Sequence, residues 1–158
     1  MLKDQLLKKV KGEIEDPEER IVARYLLCKL SDYTFLINVN EIKEIIDLDR
    51  TIESVPGTGD HVLGVVNLRS EIVPIIDIRV EFGIDTVRKT GLSRYVITET
   101  DNEYIGLLAD EAAQIINIRE QDYADKEAEG LFSGFINIDE ESYGILDINK
   151  VFINFRTS

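Results

Sequence analysis

Short apolar runs with alternating faces, separated by turn residues, make up most of the chain. The run IVARYLLCKL at 21–30 and the run TFLINV at 34–39 flank the turn SDY, while HVLGVVNL at 61–68 and IVPIIDI at 72–78 flank RSE. Such pairs are typical of strands joined by tight turns. Because the strands are short and no long helix separates them, the pattern predicts an all-β fold of small closed barrels.

A few segments depart from this alternation. Residues 1–11 carry apolar side chains near helical spacing and predict a short amphipathic helix, followed by an acidic linker over 12–20. The segment RVEFG at 79–83 predicts a short helix that ends at its glycine. NEIKEIID at 40–47 fits one helical turn or a strand, and KVFINF at 150–155 fits a helix or a strand.

A shift of seventy positions aligns the chain with itself without gaps. Residues 24–82 then fall on residues 94–152 with twelve identities, where chance would give roughly four or five. A repeat of this kind indicates one structural unit laid down twice. We therefore predict a single domain of two similar five-stranded barrels packed side by side, with short helices; strand exchange between the lobes stays open. The predicted boundaries are 1–20 for the N-terminal helix and linker, 21–84 for the first barrel repeat, 85–92 for a linker and 93–158 for the second barrel repeat.

The charge balance narrows the choice of partners. With 18 basic and 31 acidic residues the net charge is −13, which argues against nucleic acid and anionic membranes because both would repel the protein. The N-terminus is charged throughout, unlike a signal peptide, and the longest uncharged stretch, residues 130–138, is too short to cross a bilayer. A cytoplasmic protein without direct membrane insertion is expected.

Residues with catalytic or metal-binding potential are few. His61 and Cys28 are the single histidine and the single cysteine, so an internal disulfide and a tetrahedral zinc site are both excluded. Cys28 shares a strand face with leucines and is expected to be buried. Acidic groups such as Asp139, Glu140 and Glu141 leave an acidic-residue hydrolase or a metal-binding protein open, but they fit soluble hairpin tips better. We expect no enzymatic activity, no cofactor and no bound metal.

Residues kept in both copies suggest structural tasks. Gly64 and its counterpart Gly134 each open a hairpin arm in a β-rich run, where a glycine indicates a bulge or a close strand crossing. Asp77 and Asp147 precede the segments predicted to close each copy, and a helix-capping role is expected for both.

Arg69 breaks the symmetry of the repeat. It stands at the first predicted hairpin tip, and its counterpart in the second copy is Asp139, a reversal of charge. Two interpretations remain open. Arg69 is either a solvated tip residue or a recognition residue whose planar guanidinium binds a carboxylate or a carbonyl of a partner.

The run from residue 25 to residue 82 resembles the CheW family, the coupling proteins of bacterial chemotaxis. The resemblance rests on NEIKEII at 40–46, VPGTGDHVLG at 55–64, NLRSEIVPIIDIR at 67–79 and GI at 83–84. The second half fits through YIGLLADEAAQIINI and FSGFINIDEESYGILDINKVF, so the resemblance covers nearly all of the chain.

The resemblance implies SH3-like barrels and a scaffold without catalysis. Members of the family look like adaptors that hold the histidine kinase CheA, through its regulatory domain, to the cytoplasmic tips of methyl-accepting chemotaxis receptors. The receptor's helical hairpin would bind in a groove between the lobes, and the kinase would dock at the barrel ends. Carried over by motif, the receptor-facing positions are Ile42, Glu44, Gly64 and Arg69. An adaptor of a non-chemotaxis signalling array stays open as an alternative.

The chain departs from the family pattern at one turn residue. Ser70 follows Arg69 where a glycine is usual. Since serine adopts a positive φ only at an energetic cost, the turn type at this tip stays open.

Overall fold

The computed structural model describes residues 18–47, 52–54, 61–79, 81–84 and 92–157. The predicted N-terminal helix, most of the acidic linker and nearly all of the predicted linker 85–92 lie outside these residues. Within them, short strands alternate with tight turns, and a single α-helix follows the last strand.

Both copies of the repeat supply five strands in the same order. The first copy contains β1 (Ile21–Leu30), β2 (Tyr33–Asn38), β3 (Ile42–Asp47), β4 (Val62–Leu68) and β5 (Glu71–Ile76). The second contains β6 (Arg94–Thr100), β7 (Glu103–Ala109), β8 (Glu111–Arg119), β9 (Phe132–Ile138) and β10 (Glu141–Leu146), followed by helix α1 (Ile148–Thr157). The segment 40–47 thus forms the end of a 3-10 turn, Val39–Glu41, and then a strand, in agreement with its β-branched residues.

Each sheet takes strands from both copies. One sheet has the order β8-β1-β2-β10-β9, here called the β1 barrel, and the other has the order β3-β6-β7-β5-β4, the β3 barrel. A shift of seventy residues converts one order into the other. The ranges 21–84 and 93–158 therefore delimit copies of the repeat and not sheets, and the two barrels exchange strands, the possibility that the sequence left open.

Each sheet contains one short parallel pairing, which joins a strand of one copy to a strand of the other. β10 lies beside β2 at Gly144 and Ile145, and β5 lies beside β7 at Ile75 and Ile76. All other strand pairs are antiparallel. Because parallel neighbours cannot be joined by a tight hairpin, the partner strand has to come from a distant part of the chain. Here it comes from the other copy of the repeat.

Each sheet closes around its own apolar interior. The interior of the β1 barrel receives a buried side chain from every strand, namely Tyr25, Leu36, Ile118, Ile136 and Ile145. In the β3 barrel, the corresponding cluster includes Ile46, Val66, Val73, Tyr95 and Leu108. In the β1 barrel, the chain that follows β8 forms a backbone bridge from Tyr123 to β9, at the opposite edge of the sheet. In the β3 barrel, the chain that follows β3 forms the equivalent bridge from Glu53 to β4. The predicted pair of five-stranded barrels is confirmed.

The largest apolar cluster lies between the two barrels. β1 contributes Leu26, Cys28 and Leu30, which share one face as their alternation predicts, and β2 and β10 of the same barrel add to this side. Strands β5, β6 and β7 of the β3 barrel and helix α1 complete the cluster. Cys28 is fully buried, and burial raises the pKa of its thiol to about 12. The thiol therefore stays protonated and behaves as a small apolar side chain, which confirms the prediction for this residue.

The two conserved aspartates of the repeat make different contacts. Asp147 caps α1, since its carboxylate accepts a hydrogen bond from the backbone N–H of Lys150 at 3.2 Å, as predicted. Asp77 instead holds the buried guanidinium of Arg79, which donates to it at 2.6–3.0 Å. The short helix predicted after β5 is replaced by hydrogen-bonded turns around Arg79, which end at Gly83 with a φ of 65°.

The β4–β5 and β9–β10 hairpins have two-residue tips with positive φ at both positions. Arg69 and Ser70 have φ values of 53° and 71°, and Asp139 and Glu140 have values of 48° and 70°. Positive φ at both residues is typical of a type I′ turn, whose twist matches that of the flanking strands. Ser70 therefore occupies a conformation that a glycine adopts more readily, and its N–H donates to Asn67 Oδ1 at 3.2 Å.

Glu41 is a half-buried carboxyl at the end of the turn between β2 and β3. Its pKa is raised above the ordinary value, first by burial and second by repulsion from Asp147. The folded state therefore binds a proton at Glu41 more readily than the unfolded state does. Such a group destabilises the fold above its folded pKa, and this effect disappears as the pH falls through that pKa.

We expect Ser70→Gly to stabilise the protein by about 0.5–1 kcal/mol, because it relieves the positive φ of a side-chain-bearing residue. Urea denaturation measures the change. Ser142→Gly is the matched control: Ser142 is exposed in β10, where glycine has no conformational advantage, so this variant should be destabilised by roughly 0.5–1 kcal/mol. Equal effects of the two substitutions would contradict the turn assignment.

We expect Glu41→Gln to raise the melting temperature at pH 7, and the gain to shrink as the pH is lowered through the folded pKa of Glu41. Circular dichroism melts across a pH series measure it. Glu111→Gln changes the equivalent position of the second copy, where the carboxylate lies 3.7 Å from Lys29 Nζ, and should give no gain. A gain at Glu41 that does not vary with pH would rule out the buried charge as its cause.

Candidate partner-binding surface

Arg69 lies at the tip between β4 and β5, on the β3 barrel. Its side chain is 74% exposed, and its Nη2 is 3.8 Å from Oε2 of Glu44 on β3, whose side chain is 28% exposed. Closure of the barrel brings the two edge strands together, which confirms the hypothesis that Glu44 lies near Arg69. An exposed pair of this kind contributes only ~0–1 kcal/mol to stability, so the tip does not depend on it.

The Glu44 carboxylate holds an oxygen that lacks a donor. Oε2 is buried and has no hydrogen-bond partner among the described residues, and the distance of 3.8 Å to Arg69 is too long for a hydrogen bond. A buried acceptor without a donor is destabilising by roughly 1–3 kcal/mol. The site therefore gains free energy when a donor arrives, either through an inward movement of Arg69 or from a bound partner.

Lys43 and Tyr104 complete this surface. The Nζ of Lys43 lies 6.0 Å from the centroid of the Tyr104 ring, and both side chains line a small pocket together with Arg69. Two cations thus stand at one pocket in a protein whose net charge is −13. We call Lys43, Glu44, Arg69 and Tyr104 the Arg69 patch.

Every member of the Arg69 patch differs between the two copies of the repeat. Their counterparts are Ala113, Gln114, Asp139 and Thr34. Sequence reasoning found Arg69 by its charge reversal and missed Lys43 and Tyr104. Comparison of the two copies also shows that Lys43 and Tyr104 differ from their counterparts. However, Tyr104 belongs to the second copy, and it reaches a hairpin of the first copy only because the copies exchange strands.

The other two predicted site residues lie outside the Arg69 patch. Ile42 is half-buried at the start of β3 and packs against the cluster between the barrels, opposite Thr98 on β6. Gly64 is buried in β4, five residues before Arg69, which is about 16 Å along a strand. The structure thus brings Glu44 and Arg69 together and leaves Ile42 and Gly64 apart from them.

Gly64 permits a close approach of two chain segments. Its φ is 149°, and a Cβ at this position would lie 2.5 Å from the carbonyl oxygen of Glu53. The segment beside it pairs with β4 through Glu53 and Val65, whose backbones exchange hydrogen bonds of 2.9 and 2.8 Å. The predicted close crossing is confirmed for Gly64. At Gly134 the other predicted alternative is found, since the pairing of β9 with β10 shifts register beside it, while the nearest neighbour of a Cβ is the Cδ1 of Ile145 at 3.8 Å.

Two exposed isoleucines flank the contact between the barrels. Ile45 on β3 and Ile115 on β8 occupy equivalent positions of the repeat, and both are exposed. Each lies opposite a residue of the cluster between the barrels, Val96 and Leu26 respectively. The two sheet edges thus present matching apolar side chains beside the contact between the barrels. We call the surface formed by Ile45 and Ile115 the interbarrel seam.

Other kinds of site find little support in the part of the chain that the structure describes. There, no three His, Cys, Asp or Glu side chains are grouped so that they could hold a metal ion. No helix in the described ranges is long and apolar enough to cross a bilayer. His61 is buried just before β4, with its ring edge-on to Phe155 at 6.1 Å between centroids.

A family model places the chain among known proteins. The model of the CheW-like domain matches residues 24–155. The chain belongs to this family. The match includes both CheW-like barrels, the whole Arg69 patch and both isoleucines of the interbarrel seam.

Individual relatives point the same way. The chain is similar to the chemotaxis protein CheW of Helicobacter pylori, with 30% identity over 108 residues that make up 68% of this chain and 64% of that protein. It is also similar to the chemotaxis protein CheW of Bacillus subtilis, with 27% identity over 70% of this chain and 67% of that protein. The alignment with the first relative therefore spans less than two thirds of that protein's length.

A solved structure has the same architecture. The crystal structure of the scaffolding protein TtCheW from Thermoanaerobacter tengcongensis superposes with a TM-score of 0.72 and 23% sequence identity. The superposition covers 84% of this chain and 88% of that chain. The SH3-like double-barrel fold is thereby confirmed.

We expect Gly64→Ala to destabilise this CheW-like protein by about 2–3 kcal/mol, since the new Cβ would collide with the backbone of Glu53 at an unfavourable φ. Chemical denaturation measures the effect. Gly134→Ala is the matched control, because its Cβ meets only an ordinary contact, and its stability should stay within ~0.5 kcal/mol of the parent. If both variants lose the same stability, the close crossing at Gly64 is not the cause.

Proposed function

We propose that this CheW-like protein is a cytoplasmic, non-catalytic adaptor that couples the histidine kinase CheA to the cytoplasmic tips of methyl-accepting chemotaxis receptors. The observation that carries the proposal is the CheW-like match over residues 24–155, which spans both barrels and the Arg69 patch. The names of the Helicobacter and Bacillus relatives, and the description of the structural neighbour as a scaffolding protein, support the same role.

An adaptor needs recognition surfaces, and two are available on the described residues. The Arg69 patch offers two cations, one aromatic ring and a buried carboxylate oxygen that lacks a donor. The interbarrel seam offers an exposed isoleucine on an edge strand of each sheet. An apolar seam of this kind suits an amphipathic helix, which presents its own apolar side chains at regular spacing.

The two surfaces meet on β3. Glu44 and Ile45 are successive residues, so their side chains point to opposite faces of the strand, Glu44 toward the Arg69 patch and Ile45 toward the seam. A receptor helix that lies along this edge would contact both surfaces at once. Its apolar residues would cover Ile45, and its carboxylates or carbonyls would accept hydrogen bonds from Arg69.

Arg69 is the residue with which the proposal is best tested. We expect Arg69→Ala to weaken assembly with receptor fragments and CheA by ~1–3 kcal/mol, the range of an interface hot spot. Because the side chain is 74% exposed, the melting temperature should change by only about one or two degrees. Arg69→Asp copies the residue of the second copy and should assemble still less while remaining folded.

Co-sedimentation with receptor cytoplasmic fragments and CheA measures assembly. Asp139→Ala is the matched control, since Asp139 occupies the same turn position with a φ of 48° on the other hairpin. This variant should assemble like the parent. If both Arg69 variants fold and assemble normally, Arg69 is only a solvated tip residue. If the parent itself does not co-sediment, the proposed function is wrong.

A further inference from the structure

The interbarrel seam has two walls that are equivalent in the repeat. Strands β3 and β6 form one wall, which carries Ile45, and strands β8 and β1 form the other, which carries Ile115. Beneath them, the equivalent residues Leu26 and Val96 are both buried in the cluster between the barrels. Because equivalent faces of the two copies pack against each other, the seam has approximate two-fold symmetry.

The seam opens to solvent at the starts of β1 and β6. On β1, Val22 and Arg24 are exposed, whereas Leu26, the next residue on the same face, is buried. On β6, Arg94 is partly exposed, and Val96, the next residue on its face, is fully buried. The two arginines therefore stand at equivalent positions where the buried contact between the barrels ends.

The two arginines have different surroundings. The Nε of Arg94 lies 3.0 Å from Oδ1 of Asp47, its cross-strand neighbour, and its Nη1 donates to the carbonyl oxygen of Ser93 at 2.7 Å. The cross-strand neighbour of Arg24 is Asn117, which is neutral. Within the described ranges, the exposed guanidinium of Arg24 forms no ion pair and no hydrogen bond. The repeat thus compensates one arginine and leaves the other uncompensated.

Arg24 and Ile115 are close enough to act together. Since Arg24 lies opposite Asn117, Ile115 is its diagonal neighbour on the same face of the two strands. A guanidinium recognises a carboxylate through two parallel hydrogen bonds. This wall therefore fits a helix that carries a carboxylate at the edge of its apolar side.

We propose that Arg24 binds a carboxylate of the helix that lies in the interbarrel seam, as a second charged anchor besides Arg69. This role rests on the proposed function, because the helix is that of the proposed receptor. Arg69 belongs to the β3 barrel and Arg24 to the β1 barrel. A helix that contacts both arginines is held by one cation on each side of the seam, with Ile45 and Ile115 beneath its apolar residues.

Arg24 also discriminates between the two directions in which a helix can lie in the seam. The approximate two-fold axis exchanges Ile45 with Ile115, so apolar contacts alone favour neither direction. A carboxylate that meets Arg24 in one direction meets the equivalent Arg94 in the other, where Asp47 already provides the negative charge. Repulsion between the two carboxylates disfavours that second direction.

Arg24→Ala should weaken binding to receptor cytoplasmic fragments about threefold to tenfold, the effect of one partly desolvated ion pair. Co-sedimentation titrations measure the Kd, and thermal melts should show an unchanged fold because Arg24 is exposed. The loss should shrink at high salt, which screens the ion pair. Arg20→Ala is the matched control, since it removes the same charge from an exposed position just before β1 and should change the Kd less than about twofold.

Asn117→Asp tests the same role with Arg24 in place. The new carboxylate takes the position that Asp47 has in the first copy, so it should pair with Arg24 and weaken binding as much as Arg24→Ala does. Adding Asp47→Asn to Asn117→Asp restores the net charge of the parent and exchanges the neighbours of the two arginines. This double variant should bind as weakly as Asn117→Asp alone.

Given a parent that co-sediments, four results would overturn the role of Arg24. The first is parental affinity in Arg24→Ala, and the second is an equal loss in Arg20→Ala, which would leave only net charge as the cause. The third is parental affinity in the double variant, which would show that either wall serves. The fourth is a loss that does not depend on salt, which would make a neutral carbonyl the acceptor. A parent that does not co-sediment would instead show that the proposed function is wrong, and the role of Arg24 would fall with it.

Discussion

The exchange of strands between the two copies of the repeat is the constraint on which the rest of the structure depends. β2 needs β10 as its neighbour, and β7 needs β5, so neither copy completes a sheet by itself. The outer faces of both sheets then bury a shared apolar cluster to which strands of both copies contribute. A unit of about seventy residues is marginal as an independent fold because its apolar core is small. The exchange of strands lets the two copies share one larger core.

The same exchange assembles the Arg69 patch. Lys43, Glu44 and Arg69 come from the first copy, while Tyr104 comes from β7 of the second copy. The pseudo-symmetry of the fold then sets the Arg69 patch apart from the equivalent positions of the second copy. Both barrels have the same tip geometry, but of these two tips only the β4–β5 tip carries a cation beside a half-buried carboxylate, because the other has Asp139 there. The two tips thus share a backbone conformation but differ in the side chains that they present.

Residues that are identical in both copies need not have the same structural role. Gly64 makes room for a crossing chain segment, whereas Gly134 has space for a side chain. Asp147 caps a helix, whereas Asp77 binds a buried arginine whose described neighbours form hydrogen-bonded turns. Both differences arise from what packs against the position and not from the position's own sequence.

The sequence by itself determined the elements and their approximate limits. Alternation placed Leu26, Cys28 and Leu30 on one buried face, turn residues located the hairpins, and the repeat established two equivalent barrels. Charge reversal at Arg69 located one half of the candidate surface. Only the tertiary structure decided which strands are neighbours, why Tyr104 reaches the Arg69 patch and why Ile42 does not belong to it. The physical reason is that alternation and turn chemistry act over a few residues, whereas parallel pairing and packing join residues far apart in the chain, and no local pattern encodes them.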